Sequence, residues 1–548
     1  MKKIICLISF CSILIASIYF YQRSPGPKPN DWNSLNSKVG GRLIKSPSYD
    51  EATLTKLQSP FAIQDYPWAT QSTGWLKAWS VAVSPYTVAV QNTDDIVAAV
   101  KFAKKHHLKL VIKGTGHDYL GRSNAPDSLL VWTHNMRDVH VHDRFIPQGA
   151  PDEATGVNAV TIQAGARWIE VYEEVTTKNS RYVQGGGCTS VGAVGGFLQG
   201  GGFGSFSKKY GMAAGSLLEA EVVVASGEIL IANQYQNTDL FWALKGGGGG
   251  TFGIVSKATL QTHDLPNYFG SLQGKITANT DEDFETLLGY FITFYHENLN
   301  NEHWGEQIKL KPNNSLDLSL LFQGLSEKEV EDIWKPFNQW MEERNKSYTI
   351  DLSYFTFPPN KLWDYDYLTA HYPNSIEGKN KLFYWSGDQA EVLAYWYTYQ
   401  SCWIPSALFD KNASKTFAHT LFNASRHWEF SLHFNKGLAG ASAEALKSAQ
   451  DTSINPAVID AAALAIFGAF THEANIEKGL EQIHKVNTAV KIITDFIPGS
   501  GSYSNETNYF QKDWQQAFWG KNYPRLLEIK KKYDPEGFFQ CHHSVGSL

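Results

Sequence analysis

The sequence predicts an α+β protein with a ligand-binding α/β half and a second half of sheet and helix. Three observations carry this. The chain has 548 residues, more than one core usually serves, so two domains are expected. Two successive strand–helix–strand patterns between Tyr86 and Val183 each end in a glycine-rich turn. Near Gly270 the character changes, glycine thins out, and amphipathic helices alternate with apolar strands.

Composition narrows the partners. The chain is 43% hydrophobic and 19% charged, with a net charge of −6. No basic stripe is dense enough for a nucleic-acid footprint, so a small organic partner is expected. Met1 to Phe20 (MKKIICLISFCSILIASIYF) sets two lysines before an apolar run. That is the order of an export signal, nearly long enough to span a bilayer, and it reads as a signal peptide or an uncleaved anchor over residues 1–23. Either places the body outside the cytoplasm, with a membrane as partner only if the segment stays. Cys6 and Cys11 lie in it, leaving Cys188, Cys402 and Cys541. Three scattered cysteines make no disulfide scaffold and no metal-ligand spacing, although Cys402 and Cys541 are free to pair if Cys188 is used chemically. Sequons begin at Asn313, Asn345, Asn412, Asn423 and Asn505.

After a polar, proline-bearing stretch, Tyr86 to Val90 reads as a strand, Asn92 or Thr93 as a helix cap, Asp94 to His107 as an amphipathic helix and Lys109 to Ile112 as a strand. The turn that follows, Lys113-Gly-Thr-Gly-His-Asp-Tyr-Leu-Gly-Arg-Ser123, leaves the carboxyl end of a strand, where α/β folds bind ligands. A second unit repeats the order: strand Val160 to Gln163, helix Trp168 to Thr177, then Val183 leading into Gln184 to Gly204 (QGGGCTSVGAVGGFLQGGGFG).

So glycine-rich a run neither packs a core nor holds a helix. A flexible linker would interleave serine and avoid Val191, Val194, Phe197 and Leu198. Backbone N–H groups without side chains in the way form an anion-binding concavity, and phosphate or pyrophosphate is the usual guest. The stretch reads as a cofactor loop with a thiol, Cys188, inside it. Glu219 to Ala232 follows as a β-hairpin turning at Ser226-Gly227, and Asp239 to Val255 as a short helix, five glycines and an apolar strand. None of these runs has the strand, helix and later acid of a Rossmann fingerprint.

In the second half, helices are expected over Asp281 to Glu297 and Glu327 to Glu343, with strands at Ser315 to Phe322 and Glu429 to Phe434. Aromatic residues crowd Trp363 to Trp403. Each alone is ordinary core, and together they allow an aromatic-walled pocket. The end carries the polar cluster Tyr503-Ser-Asn-Glu506 and a helix from Trp514 to Lys532.

Taken together, GTGHDYLGRS, GGGCTSVGAVGG, DLFWALKGGGGGTFGIV, FNKGLAG and YSNE…WQQAFWG…YDPEGFF resemble the flavin-linked oxidases of the vanillyl-alcohol oxidase superfamily, in the berberine-bridge-enzyme-like branch and near isoamyl alcohol oxidase-like proteins. The resemblance covers Tyr66 to Leu548. It implies a PCMH-type FAD-binding domain of two α/β subdomains over 80–268, preceded by an N-terminal extension at 24–79 packing on that domain. It further implies a substrate domain at 269–498 with an antiparallel sheet covered by helices, and a C-terminal segment at 499–548 returning to the FAD domain.

The resemblance assigns FAD as cofactor, tethered at its 8α-methyl carbon by His117 and at C6 by Cys188. A neutral imidazole and a thiolate suit attack on an electron-poor ring. Taken alone, each would be a structural histidine or an inert thiol. Amides of Gly114, Thr115, Gly116, Asp118 and Tyr119, of Gly187, Gly192, Gly195 and Gly196, and of Gly249 are expected around pyrophosphate and ribityl. Lys113, Ser123 and Gly202 are expected beside them, and Ile254 and Val255 against adenine or ring. Berberine-bridge enzymes often carry histidine where this chain has Phe197, so that ribityl contact is not carried over. Val191, three after the cysteine, resembles an oxygen gate that admits oxygen. The implied reaction oxidises the carbinol of an alcohol or sugar and passes electrons to molecular oxygen, giving hydrogen peroxide. Tyr503 or Glu506 is the candidate base, with Asn505 orienting it. A tyrosine near ~10 needs activation at neutral pH whereas a glutamate near ~4.3 is already ionised. Without such a role the cluster reads as a cap before the final helix.

Overall fold

The computed structural model describes residues 26–47, 50–379 and 381–547. The N-terminal segment with Cys6 and Cys11 lies outside them. Among the described residues no helix is long and apolar enough to cross a membrane.

The first sheet is built by β1 (Tyr86–Ala89), α1 (Thr93–Lys105), β2 (Lys109–Lys113) and β3 (Ser128–Trp132). Asn92 caps α1, its side chain accepting from the Asp95 amide at 3.0 Å. Asp94 and Asp95 in the first turn and Lys104 and Lys105 in the last complement the helix dipole. Ile96, Ala99, Val100 and Ala103 form the buried stripe. The strand missed by sequence reading is β3. It runs parallel to both β1 and β2 and lies between them, with Leu129 opposite Tyr86 on one side and Leu110 on the other. Its sequence, Ser-Leu-Leu-Val-Trp, is buried throughout and so carries no alternation to mark it.

The second sheet contains β4 (Val139–Phe145), β5 (Val157–Gln163), β6 (Leu217–Val223), β7 (Ile229–Asn233) and β8 (Ile254–Gln261), in the order β7-β6-β8-β5-β4. The hairpin β6–β7 turns at Gly227, whose φ of 80° suits glycine. The second strand–helix–strand unit differs from expectation. Helix α2 (Trp168–Tyr172) runs on as a π-helical turn, and Arg181–Tyr182 pairs with His263–Asp264, not with β5. This sheet is antiparallel throughout.

The second half is a nine-stranded sheet. Its main strands are β9 (Phe269–Ala278), β10 (Trp304–Lys311), β11 (Ser315–Gln323), β12 (Tyr348–Phe357), β13 (Ala394–Pro405), β14 (Phe430–His433) and β15 (Ala461–Thr471). Ser72–Trp75 adds to β13 in parallel, so the N-terminal extension joins this sheet, while Leu43–Lys45 joins the first sheet beside β1. Helices Asp281–Phe294, Glu327–Glu342, Ser414–Ser425 and Ile476–Phe496 cover one face, burying Phe284, Phe291, Trp334, Phe337, Leu421 and Ile493. An α+β chain with an α/β half and a helix-backed, largely antiparallel sheet in the other half is therefore what the sequence predicted.

The chain's end breaks its helix at Gly520, where φ is 50°, into Trp514–Trp519 and Tyr523–Tyr533. It then supports the pentaglycine run. Trp519 Nε1 donates to Gly246 O at 2.9 Å, and the buried Lys530 donates to Thr251 O at 2.7 Å. Cys402 is buried in β13 opposite Ala465, and Cys541 lies in the C-terminal segment. Both are free thiols, so the pairing left open by the sequence is not formed.

Candidate active site

The loop after β2, the cysteine loop, the pentaglycine run and the start of β8 converge on one cleft. It is lined by Gly114, Thr115, Gly116, His117, Asp118, Tyr119 and Ser123 from the first loop, Val191, Gly192, Gly195 and Gly196 from the second, and Gly249, Ile254 and Val255 from the third. Tyr503, Asn505 and Glu506 close its other side, together with Lys436. A Cβ built on Gly195 or Gly196 meets no protein atom within 4 Å, so these glycines leave the cleft open beside them, whereas Gly187 is exposed and does not line it. Gln71 Oε1 and Gln199 Oε1, on residues lining the cleft, are buried acceptors without a protein donor. A flat, many-hydroxylated cofactor such as FAD fits this combination of cleared backbone and orphan acceptors.

The cysteine loop is pinned on every side. The first amides of α2 donate into it, Trp168 N to Val191 O and Ile169 N to Thr189 O, each at 3.0 Å. Tyr172 Oη donates to Gly186 O at 2.7 Å, Gln64 Nε2 to Ser190 O at 2.7 Å, and Thr189 Oγ1 to Phe383 O at 2.7 Å. Those bonds fix Cys188. Its Sγ lies 3.6 Å from Ser190 Oγ, which is 2.9 Å from His117 Nε2. The two predicted nucleophiles are therefore joined through one buried hydroxyl. Burial pulls His117 down to about 4, which keeps the imidazole neutral. Burial, and then the charge of Asp388, push the Cys188 thiol well up, with the Ser190 bond opposing them.

Not every predicted residue faces the cleft. Lys113 is 1% exposed, and its ammonium donates to the carbonyls of Tyr66 (2.8 Å), Pro67 (3.0 Å) and Ala69 (2.5 Å). Burial pulls it down to about 7, whereas three acceptors call for the three N–H bonds of the charged form. Its side chain binds the N-terminal extension to β2. Asp118 lines the cleft but spends its carboxylate on Arg122, accepting from the backbone N at 2.5 Å and from Nε at 2.7 Å. Gly202, with φ of 71°, gives its amide to Tyr503 Oη at 3.3 Å. Phe197 packs edge-on against Trp168, 5.2 Å between centroids.

The terminal cluster is a tight turn, with Glu506 N bonded to Tyr503 O at 2.9 Å. It is held to β13 by Ser401, whose Oγ accepts from Tyr503 N at 3.2 Å and donates to Glu506 O at 2.5 Å. Since the final helix starts only at Trp514, after Asp513, the cluster caps nothing. Asn505 Nδ2 donates to both Gly196 O and Tyr503 Oη at 3.0 Å, so this sequon nitrogen is engaged at the cleft. Tyr503 Oη thus takes two donors, while burial and the Glu506 charge keep its pKa raised. Glu506 is paired with Lys436 through both carboxylate oxygens.

Several residues here escaped sequence reading. Lys436 sits in FNKGLAG, a motif carrying the resemblance but read for no role. Tyr119 Oη donates to Glu391 Oε2 at 3.0 Å, and its ring stacks on Tyr399 at 4.8 Å. Burial raises Glu391 and lifts Asp388 to about 7, Asp388 further by the Glu391 charge. Both acids fall in the short turn Ser386–Glu391, where no motif announces them. Most aromatics of that stretch are core: Trp396, Tyr397 and Trp403 are buried, and Trp363 stacks on Tyr172 at 4.2 Å.

Comparison with known proteins points to the same cofactor. A family model described as "FAD binding domain" matches residues 84–233, and one described as "Berberine and berberine like" matches residues 502–546. The FAD-linked oxidoreductase easE of Trichophyton verrucosum is 31% identical over 95% of this chain and 89% of its own. The VAO-type flavoprotein oxidase VAO615 of Thermothelomyces thermophilus is 30% identical over 95% of this chain and 91% of its own. Among solved structures, the VAO-type flavoprotein MtVAO615 of Myceliophthora thermophila superposes with a TM-score of 0.79 at 27% identity, covering 95% of each chain. A glucooligosaccharide oxidase of Acremonium strictum, described with a 6-S-cysteinyl, 8α-N1-histidyl FAD, shares the fold with a TM-score of 0.70 at 21% identity, covering 94% of this chain and 100% of its own.

Proposed function

Because the chain belongs to the VAO-type, berberine-bridge-like family of FAD-linked oxidoreductases, we propose that it is an exported oxidase. In this reading its FAD is tethered twice, through His117 and Cys188, and it oxidises the carbinol of an alcohol or sugar with release of hydrogen peroxide. The observation that supports it is one cleft lined by His117 and by the cluster Tyr503, Asn505 and Glu506, with Cys188 held behind its wall and joined to His117 through Ser190. Export rests on the order of charge and apolar residues in Met1 to Phe20.

The flavin, when bound, supplies the hydride acceptor and the route by which electrons reach dioxygen. The chain supplies orientation and proton transfer. Glu506 takes the substrate hydroxyl proton: its carboxylate lies at the cleft against the Lys436 ammonium, whereas burial raises the Tyr503 phenol and keeps it protonated. Tyr503 has both its acceptor positions filled by Gly202 and Asn505, so its O–H is free to donate to the substrate oxygen and fix its position. Val191, on the wall of the cleft, is the residue that the resemblance reads as admitting oxygen.

The test is flavin bleaching under anaerobic incubation with simple alcohols and with oligosaccharides, followed by reoxidation in air with peroxide assayed. Slow reoxidation would convert the reading to a dehydrogenase with another acceptor. No bleaching by any substrate would leave a surface protein that keeps flavin as structure. Preference for oligosaccharides is favoured by one observation, the aromatic residues Tyr119, Phe203 and Tyr509 on the cleft wall, against which a sugar's C–H faces stack.

A further inference from the structure

The Ser190 hydroxyl bonds both predicted tether residues, and nothing in the proposed reaction uses it. Ser190 is fully buried, its carbonyl is held by Gln64, and its Oγ lies 2.9 Å from His117 Nε2 and 3.6 Å from Cys188 Sγ. An imidazole has one protonated and one free nitrogen when neutral. If Nε2 accepted from Ser190, Nδ1 would carry the proton and neither nitrogen could attack a carbon. If Nε2–H donates to Ser190, Nδ1 keeps its lone pair, and the Ser190 O–H is left to donate to Cys188 Sγ.

We propose that Ser190 is the positioning residue for flavin attachment: it holds His117 protonated at Nε2 so that Nδ1 bonds to the flavin methyl carbon, and it aligns Cys188 Sγ for the ring carbon in the same hydrogen-bonded chain.

This rests on the doubly tethered reading above. At His117 an N–C bond forms and a methyl C–H bond breaks, and at Cys188 an S–C bond forms and a ring C–H bond breaks. Each event releases two protons, one from the flavin carbon and one from the nucleophile. The two electrons pass through the flavin to dioxygen, the oxidant, giving one hydrogen peroxide per bond. The thiol proton leaves toward Asp388, whose carboxylate faces Cys188 and whose Oδ2 is buried without another partner.

The test follows attachment, not turnover. Unmodified protein, Ser190→Ala and Ser190→Thr are produced, acid-precipitated and digested, the flavin peptides mapped by mass spectrometry, and the bonded nitrogen assigned by NMR. Attachment of apo-protein with added FAD is timed in parallel with its noncovalent binding. The expected result is bonding at Nδ1 in the unmodified protein. Ser190→Ala should attach about ten-fold more slowly, the effect of losing one orienting hydrogen bond, with noncovalent FAD binding unchanged, and Ser190→Thr should recover most of the rate. Unchanged rates in Ser190→Ala beside a doubly tethered parent overturn this inference alone. Bonding at Nε2 in the unmodified protein overturns it whether or not the variants fold. Release of flavin from the unmodified protein by denaturant overturns the tethered reading and this inference with it.

Discussion

Lys436 lays its ammonium against both carboxylate oxygens of Glu506, at 2.5 and 2.6 Å, with the two side chains 13% and 16% exposed. A pair this sheltered is costly to break from one side and cheap to remove whole, because the penalty is the charge left alone. Lys436→Met should therefore destabilise the protein by about 2 to 3 kcal/mol in urea unfolding, below the full cost of a deeply buried pair. Lys436→Met/Glu506→Gln should recover most of it. A loss in the double variant equal to the sum of the losses in Lys436→Met and Glu506→Gln alone would show that the pair holds no mutual dependence.

For the reaction, the same geometry separates two roles. Glu506→Gln should slow anaerobic flavin reduction by roughly 10²- to 10⁴-fold at every pH, the usual share of a general base. Tyr503→Phe removes only an orienting donor, so it should raise KM more than it lowers the reduction rate. The reverse ranking in stopped-flow reduction would move the proton acceptor to Tyr503.

Gly196 offers a test of what the cleft is cleared for. An added methyl there touches no protein atom within 4 Å, and the residue is not in the left-handed region. Gly196→Ala should leave the melting of flavin-free protein unchanged while flavin content on purification falls sharply. A loss of stability without loss of flavin would mean that the glycine serves the loop itself.

These contacts also mark where the sequence stops being informative. The cap at Asn92, the hairpin turn at Gly227 and the glycine loops depend on neighbours in the chain and were readable there. By contrast β3 is buried on both faces and shows no period. The failed second parallel unit depends on whether Arg181–Tyr182 meets β5 or His263–Asp264, a choice made by distant strands. Lys436 reaches the cleft, and Glu391 and Asp388 reach Tyr119 and Cys188, from far along the chain, so their roles depend on contacts that no local pattern encodes. Ser190 is different: a hydroxyl two residues after the cysteine was in view, and only its shared bond to His117 gives it meaning.

Lys113 was expected beside the cofactor, and its three bonds to Tyr66, Pro67 and Ala69 predict otherwise. Lys113→Met would strand three carbonyls in a buried site. It should cost about 3 kcal/mol or more and loosen the N-terminal extension to limited proteolysis, while the absorption spectrum of retained flavin stays the same. A spectral shift with unchanged stability would return Lys113 to the cofactor.

The pH dependence of attachment should differ between the two tethers, because burial moves their proton equilibria in opposite directions. His117 is lowered from the usual histidine value to about 4. A depressed histidine contributes stability that is present above its unfolded value near 6.5 and is lost as pH falls toward 4, up to roughly 3 kcal/mol. Over that window the imidazole stays neutral and nucleophilic. In Cys188→Ala, attachment through His117 should accordingly be flat from pH 8 to about 5 and fail only near 4. Cys188 faces Asp388, Ser190, Glu391 and Tyr172, and Asp388 is lifted to about 7 by burial and the Glu391 charge. In His117→Ala, attachment through Cys188 should rise as pH passes through about 7, where Asp388 becomes able to take the thiol proton. Asp388→Asn should remove that rise and leave the His117 profile untouched. Timed acid precipitation across pH measures both curves, and a Cys188 profile indifferent to Asp388→Asn would assign the thiol proton to another acceptor.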